Sequence, residues 1–279
     1  MKSIAVICYL LAIVLSVAGQ PQDFINPEGK NGPKSPIPYS PIREADVMWS
    51  KRIWRVIDLK EKINLPFKWP SAVSENYRMS LMNVLCEAIQ HEHLTAYSYE
   101  DDYFTIPITW EVIEKRGGAR IDTVMIPDVN PPYDEKPVAV PQGFSQDKVV
   151  AYKIQEEWFF DKQLSQMKVR IVGIAPLIYA EDPDGNIREG NIMIPLFWLY
   201  YPDIRPILAN TVAYNRWNGN KQISFDDVFE ARFFNSYIVK ESNVYDRYIG
   251  EYKSGLAALL ESEKVKEQIV NFEHDMWEY

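Results

Sequence analysis

Cysteine is scarce in this sequence, which has two cysteines among 279 residues. Cys8 lies in an apolar run over residues 4–17, behind a single lysine and ahead of small residues. This order is typical of a cleaved signal peptide, here predicted for residues 1–19. Cleavage leaves Cys86 alone, which excludes a disulfide within the mature chain. We expect Cys86 to pack in the core, with an intermolecular disulfide as the alternative that an exported protein permits.

Long apolar runs are also missing after residue 19, where no segment approaches the roughly 18 apolar residues that a membrane span needs. Cys8 does not follow a small-residue cleavage site directly, so lipid attachment is not expected. The sequence therefore predicts an exported protein with no membrane span of its own. Its 39 acidic residues outnumber 30 basic ones, for a formal net charge of −9. This balance argues against nucleic acid as a partner, because such binding depends on cationic contacts to phosphate.

Local signatures of catalysis, cofactors and metals are absent as well. The sequence has no phosphate loop, no dinucleotide glycine fingerprint, no zinc helix with histidines four apart and no Gly-x-Ser-x-Gly elbow. His91 and His93 are expected near a helix C-terminus, where the dipole favours them, so no metal site is predicted. Asp226 and Asp227 are explained as the first turn of a helix. A hydrolase that uses buried carboxylates would leave no local motif and stays open as an alternative.

Proline divides the chain. Residues 20–44 are predicted to be an extended arm, a spacer or a strap across a neighbouring subunit, because six prolines occur in 20–42 and such chain favours an extended form of ~3.1 Å per residue. The remaining 45–279 is long and apolar enough for a single domain. A second proline-rich stretch, 127–143, is predicted to be an extended crossing outside the core.

Residues 49–70 combine three tryptophans with many charged side chains. On a helical period one side holds mainly apolar residues and the other mainly charged ones, which predicts an amphipathic helix that ends before Pro66. The apolar side consists of Trp49, Ile53, Val56 and Ile57, and the charged side of Lys51, Arg55, Asp58 and Lys62.

Capping residues predict further helices after Ser71 or Ser74, after Thr109, from Asp203 to Asn210, and after Ser224, where Asp227 completes a capping box. Strand patterns begin at Val149, and turn residues between 169–180 and 191–200 predict an antiparallel hairpin. Apolar spacing predicts two C-terminal helices, marked by Tyr245, Tyr248, Ile249, Tyr252, Leu256 and Leu259, and by Val265, Ile269, Phe272 and Met276. The predicted fold class is therefore α+β: an antiparallel sheet with a central hairpin at about 167–200, packed by N-terminal and C-terminal helices.

Three segments resemble the GldN/PorN family of the Bacteroidetes, which belongs to the type IX secretion system and its gliding machinery. They are WSKRIWRVIDLKEKIN, LFWLYYPDIRPILAN and SFDDVFEARFFNSYIVKESNVYDRYI, in this order. The resemblance implies a periplasmic, non-enzymatic ring subunit without a cofactor. Its implied partners are an outer-membrane lipoprotein of the GldK/PorK type, a trans-periplasmic shaft of the GldM/PorM type and neighbouring copies of itself.

Tryptophan and arginine contribute most strongly to protein interfaces, so two clusters rich in them are the predicted partner contacts. The predicted residues are Trp49, Trp54, Arg55, Arg232, Phe233, Phe234 and Tyr237. Core packing or intrachain pairing is the alternative for all seven. A secreted cargo is disfavoured, because its expected β-rich sorting domain does not match a helical C-terminus. A glycan- or peptidoglycan-binding module remains an alternative, since exposed aromatic rings stack on sugars.

Overall fold

The structure is a computed structural model, and the residues it describes are 35–70, 79–92, 94–127, 135–142, 144–182, 186–215 and 223–277. Residues Ser35–Tyr279 form one compact unit. The predicted signal peptide, the arm as far as residue 34, Ser71, Ser74 and His93 lie outside the described residues.

An antiparallel sheet forms the centre of the fold, and its three long strands are neighbours. Hydrogen bonds order the main sheet as β12-β1-β6-β7-β9-β2-β3, with β8 also paired to β7. Two separate pairs, β4 with β5 and β10 with β11, complete the described strands. In chain order the strands are β1 (Val47–Asp58), β2 (Ala96–Tyr97), β3 (Pro107–Ile108), β4 (Arg120–Pro127), β5 (Glu135–Gln142), β6 (Val149–Asp161), β7 (Gln166–Tyr179), β8 (Met193–Pro195), β9 (Trp198–Tyr200), β10 (Val212–Ala213), β11 (Ile223–Ser224) and β12 (Tyr237–Glu241).

Helices lie between β1 and β6 and after β7, which confirms the predicted α+β class. Ser80 caps the first helix, since its Oγ accepts a hydrogen bond from the backbone N–H of Asn83 at 3.3 Å. The predicted capping box is present, with Ser224 Oγ accepting from the Asp227 N–H and the Asp227 carboxylate accepting from the Ser224 N–H. The helices are α1 (Leu81–His91), α2 (Trp110–Arg116), α3 (Tyr201–Asn210), α4 (Phe225–Glu230), α5 (Ile249–Tyr252) and α6 (Leu256–Trp277).

The predicted hairpin of about 167–200 is confirmed. β7 pairs with β8, where Leu177 faces Pro195, and with β9, where Ile174 faces Leu199. The longest partner of β7 is β6, which runs antiparallel to it over nearly its whole length. The sheet therefore extends to both sides of the predicted hairpin.

The prediction of an amphipathic helix from Trp49 is wrong, because this segment is the strand β1, which pairs with β6 and β12. Ile53 is buried on one face of the sheet, and Trp54 is buried on the other. A strand buried on both faces loses the alternation that normally identifies it. The remaining spacing of three and four residues then imitates a helix.

Two other predictions need correction. Residues 135–142 are extended, as expected, but they are not a crossing: β5 forms a hairpin with β4, with Val138 opposite Val124. Prolines within β5 hid this pairing, since proline is depleted in strands. At the C-terminus, α5 is a single turn and α6 continues over 22 residues. The spacing therefore predicted helical structure correctly but placed the break between the helices incorrectly.

The main core lies on one face of the sheet, beneath α1, α3 and α4. Phe67 and Phe197 have no exposed surface there, and Cys86 is 2% exposed. Burial raises the pKa of the Cys86 thiol to about 12. The prediction that Cys86 packs in the core is confirmed. A second cluster on the same face, formed by Ile53, Ile238, Ile249, Val265 and Ile269, attaches α6 to the sheet.

Candidate functional site

Arg232 and Arg55 converge on one buried carboxylate, that of Glu156 in β6. Arg232 Nη2 donates to Glu156 Oε1 at 2.8 Å, and Arg55 Nη1 lies 3.9 Å from Oε2. The indole N–H of Trp158 also donates to Oε2, at 2.8 Å. Burial lowers the pKa of Arg55, and the charge of Glu156 opposes this effect. Both arginines are thus paired within the chain, although Arg232 keeps 29% of its side chain exposed.

The predicted aromatic contacts divide between core and surface. Trp54 and Phe234 are buried, and Trp49 is half-buried with its ring stacked on Phe272 at 4.8 Å between centroids. Phe233 is 58% exposed and Tyr237 is half-buried. Partner contact through the seven residues stays a prediction, for which Phe233 offers the largest accessible surface.

The end of α4 explains why Phe233 and Phe234 separate. Arg232 has a left-handed backbone, with φ 55°. The Phe233 N–H donates to the Val228 carbonyl at 2.9 Å, and the Arg232 N–H donates to the Phe229 carbonyl at 3.2 Å. These two bonds form a Schellman motif, in which a non-glycine residue occupies the left-handed position. The helix ends here, so Phe234 enters the core and Phe233 faces solvent.

A polar cluster that the sequence did not indicate lies on the other face of the sheet, around Lys153 and Lys240. Lys153 Nζ donates to Tyr248 Oη at 2.7 Å, and Lys240 Nζ lies 2.7 Å from Asp246 Oδ1. Asp102 lies within 4.0 Å of both ammonium groups. The cluster therefore ties the segments around Asp102 and Asp246 to the sheet. A lysine inside each of two apolar strands was the available signal.

Lys153 gives the folded protein a pH dependence. Burial lowers the pKa of its ammonium group to about 8, from 10.5. Between these pH values the unfolded chain binds more protons than the folded one, so the contribution of Lys153 to stability rises with pH and becomes constant only well below pH 8. We expect the free energy of unfolding, relative to a Lys153→Met variant, to rise by about 1.6 kcal/mol between pH 8 and 9.5. Urea denaturation at these pH values measures it.

The neighbouring tyrosine, Tyr248, opposes the effect of Lys153 at high pH. Burial and Asp102 raise the pKa of Tyr248, so its contribution to stability falls as pH rises past the ordinary tyrosine value of 10.0. Measurements at or below pH 9.5 avoid this opposing effect. A difference between wild type and Lys153→Met that stays flat from pH 8 to 9.5 would show that the buried amine keeps its ordinary pKa.

Within the stretch predicted to be the arm, Tyr39 lies against α3 and α4. Tyr39 Oη donates to Glu230 Oε1 at 2.5 Å, and its ring lies 4.1 Å from the guanidinium carbon of Arg205. Arg205 is in turn fixed by Asp226, with 3.0 Å between Nε and Oδ1. Burial and Glu230 raise the pKa of Tyr39. Asp226, one of the paired acids in the sequence, therefore has a structural ion pair.

Residues 244–260 form the most exposed apolar surface of the C-terminal region. Arg247 lies over the rings of Tyr245 and Tyr252, at 4.5 and 5.6 Å from their centroids. Of the apolar residues that marked the first C-terminal helix, Ile249 is buried but Leu256 is 72% exposed. The exposed members of this surface, here called the 244–260 surface, are Val244, Tyr245, Tyr252, Leu256, Leu259 and Leu260.

Within the described ranges, no group of three or more His, Cys, Asp or Glu side chains is arranged to hold a metal ion. In that same part of the chain, no helix combines the length and the apolar character required to cross a bilayer.

Comparison with known families identifies the chain. No curated protein matches it. The family model described as "Gliding motility associated protein GldN" matches residues 42–278. This range runs from the end of the predicted arm through the sheet to α6, and it confirms the resemblance of the three sequence segments. The chain belongs to the GldN family of gliding motility associated proteins.

Proposed function

We propose that this protein is a non-enzymatic, periplasmic ring subunit of the type IX secretion and gliding machinery. It assembles with an outer-membrane lipoprotein of the GldK/PorK type, contacts neighbouring copies and transmits load from a shaft of the GldM/PorM type. Family membership supports the place in the machinery. The finer assignment depends on which surfaces are available for other proteins.

The single observation that carries the proposal is the 244–260 surface. Exposed apolar side chains that are grouped in one region mark candidate protein contacts, and exposed tyrosine and arginine are typical of such contacts. Tyr245 is 74% exposed and Leu260 is 62% exposed. An exposed surface of this composition therefore favours a subunit that binds other polypeptides over an enzyme that acts as a monomer.

The buried carboxylates support the non-enzymatic part. Glu156, Asp161 and Asp226 are the buried acids among the described residues. Each has a cationic partner within the chain, Arg232 at 2.8 Å, Lys168 at 2.9 Å and Arg205 at 3.0 Å respectively. Buried acids that form such ion pairs stabilise the fold. A catalytic pair instead requires two carboxylates whose environments push their pKa values apart.

Co-expression with the lipoprotein tests the proposal. The mature chain is expected to co-purify with a tagged GldK/PorK-type lipoprotein and to form rings visible by electron microscopy. Binding to purified peptidoglycan without the lipoprotein would instead favour the glycan-binding alternative. A mature chain that remains a monomer and does not bind the lipoprotein would contradict the ring function.

The Phe233→Ala variant tests the predicted partner contacts. Because Phe233 is exposed, its removal is expected to change the free energy of unfolding by less than about 0.5 kcal/mol. Loss of an interface aromatic is expected to weaken lipoprotein binding by about tenfold or more. Co-purification and thermal unfolding measure the two effects. Ile187→Ala, at a position that is 53% exposed, is the matched control and should retain binding.

A further inference from the structure

The outer side of α6 carries a short apolar stripe followed by acidic residues. Val265 and Ile269 point into the core, at 3% and 5% exposure. With 100° per residue, Leu256 and Leu260 lie on the opposite side, flanked by Leu259, and Glu263 and Glu267 continue the same line. Leu256 to Glu267 spans about 16 Å along the axis. These five outward residues are here called the α6 stripe.

The charges of the α6 stripe are available to another molecule. Glu263 has 61% of its side chain exposed, and its carboxylate lies 3.4 Å from the ammonium group of Lys266. An exposed ion pair of this kind contributes little to stability, so a new partner can replace it. Glu267 is also exposed. Leucines followed by two carboxylates thus complement an apolar stripe followed by basic residues.

We propose that the α6 stripe docks an amphipathic helix of another protein, with apolar residues opposite Leu256, Leu259 and Leu260 and lysine or arginine opposite Glu263 and Glu267. This inference rests on the proposed function, because it names the kind of partner element that the subunit holds. Two helices pack by setting the side chains of one between those of the other, and a three-leucine stripe supplies such a surface.

A second copy of this chain fits the stripe less well. Two stripes that meet in parallel about a two-fold axis would bring the carboxylates of Glu263 and Glu267 near their own counterparts. Two stripes that meet antiparallel over their leucines would leave both carboxylates of each copy outside the other copy's stripe, so the acidic half of the stripe would have no part in the contact. An isologous contact also closes at two subunits, whereas a ring needs a heterologous one. The chain carries a formal net charge of −9, which further disfavours an acidic contact between copies.

Synthetic helices provide the test. The probes are two fluorescein-labelled 21-residue helices with the same leucine stripe, one flanked by lysine and the other by glutamate, titrated against the mature chain by fluorescence anisotropy. The lysine probe is expected to bind wild type more tightly than the glutamate probe. A Leu256→Ser/Leu260→Ser variant should lose at least tenfold in affinity for the lysine probe, with an unchanged melting temperature because both leucines are exposed.

Charge reversal separates docking from general attraction to an acidic protein. Glu263→Lys/Glu267→Lys is expected to reverse the preference towards the glutamate probe. Glu111→Lys/Glu189→Lys makes the same change in net charge at two exposed positions outside α6 and should keep the lysine preference. Equal effects of the two double variants, or no effect of the leucine changes, would overturn the inference.

Lipoprotein co-purification, scored on the same variants, distinguishes this inference from the proposed function. If wild type forms the complex and the α6 variants bind the lipoprotein and the lysine probe equally well, the docking inference fails and the ring function stands. If wild type forms no complex, the ring function fails whatever the probes show.

Discussion

Replacing Glu156 by alanine is expected to lower the free energy of unfolding by about 3–5 kcal/mol, the cost of removing one partner from a buried ion pair. The Glu156 side chain is fully buried, and that of Arg55 is only 11% exposed. Without the carboxylate, the charges of Arg55 and Arg232 and the indole N–H of Trp158 lose their shared acceptor. Urea denaturation of the mature chain at pH 7, followed by tryptophan fluorescence, measures the loss.

Two further variants make this result specific. Glu156→Gln keeps the shape and one acceptor oxygen but removes the charge, so a smaller loss is expected than for alanine. Glu189→Ala, at an exposed position, should stay within about 0.5 kcal/mol of wild type. Equal stability of Glu156→Ala and Glu189→Ala would mean that the two arginines find other acceptors or water.

Because Arg232 belongs to the ion-pair network of Glu156, an Arg232 variant does not separate partner binding from stability. Arg232→Ala removes a predicted partner contact and one side of a buried ion pair at once. A loss of lipoprotein binding could then follow from altered folding alone. Phe233, which is next to Arg232 and exposed, separates binding from stability and is the better probe of this surface.

Local chemistry made parts of the fold predictable. The capping box at Ser224 depends on residues three apart. α2 ends at Arg116, and Gly118, two residues later, has the left-handed backbone (φ 85°) that favours glycine after a helix. The hairpin around 167–200 was indicated by turn residues between two apolar runs. None of these features requires knowledge of a distant part of the chain.

The errors arose where tertiary contacts decide the structure. β1 has Ile53 covered by α6 and Trp54 covered by the lysine cluster, and neither cover is close in sequence. The apolar residues of 49–57 therefore fit a helical period equally well. Lys153 and Lys240 come together only because β6 and β12 both pair with β1.

For the 244–260 surface, the sequence predicted the helical pattern but not which residues are exposed. Apolar spacing identified Leu256 and Leu259 as members of a helical pattern, but spacing does not say which side of a helix is covered. Val265 and Ile269 occupy the covered side, which leaves the leucines exposed. Similarly, tryptophan content identified residues typical of interfaces, yet Trp54 is buried within the subunit.

Replacing Phe67 by alanine is expected to lower the free energy of unfolding by about 3–5 kcal/mol, because the change opens a cavity in a region that cannot collapse freely. Phe67 has no exposed surface. Its ring lies 5.1 Å from that of Phe229 and 6.3 Å from those of Phe225, Phe234 and Tyr152, between centroids. These rings belong to β6, α4 and the segment after α4, so one side chain joins three parts of the core.

Phe67→Leu and Ile63→Ala complete this experiment. Leucine fills much of the cavity, so a smaller loss than for alanine is expected. Ile63 is 46% exposed in the same segment, and its change should cost little. If Phe67→Ala were no worse than Ile63→Ala, the packing of residues 62–67 against α4 would be incorrect. Phe67 contacts the ring of Phe234 but not solvent. Phe67→Leu should therefore retain lipoprotein binding, whereas Phe233→Ala should lose it. This difference separates the role of Phe67 in the core from the role of Phe233 in partner contact.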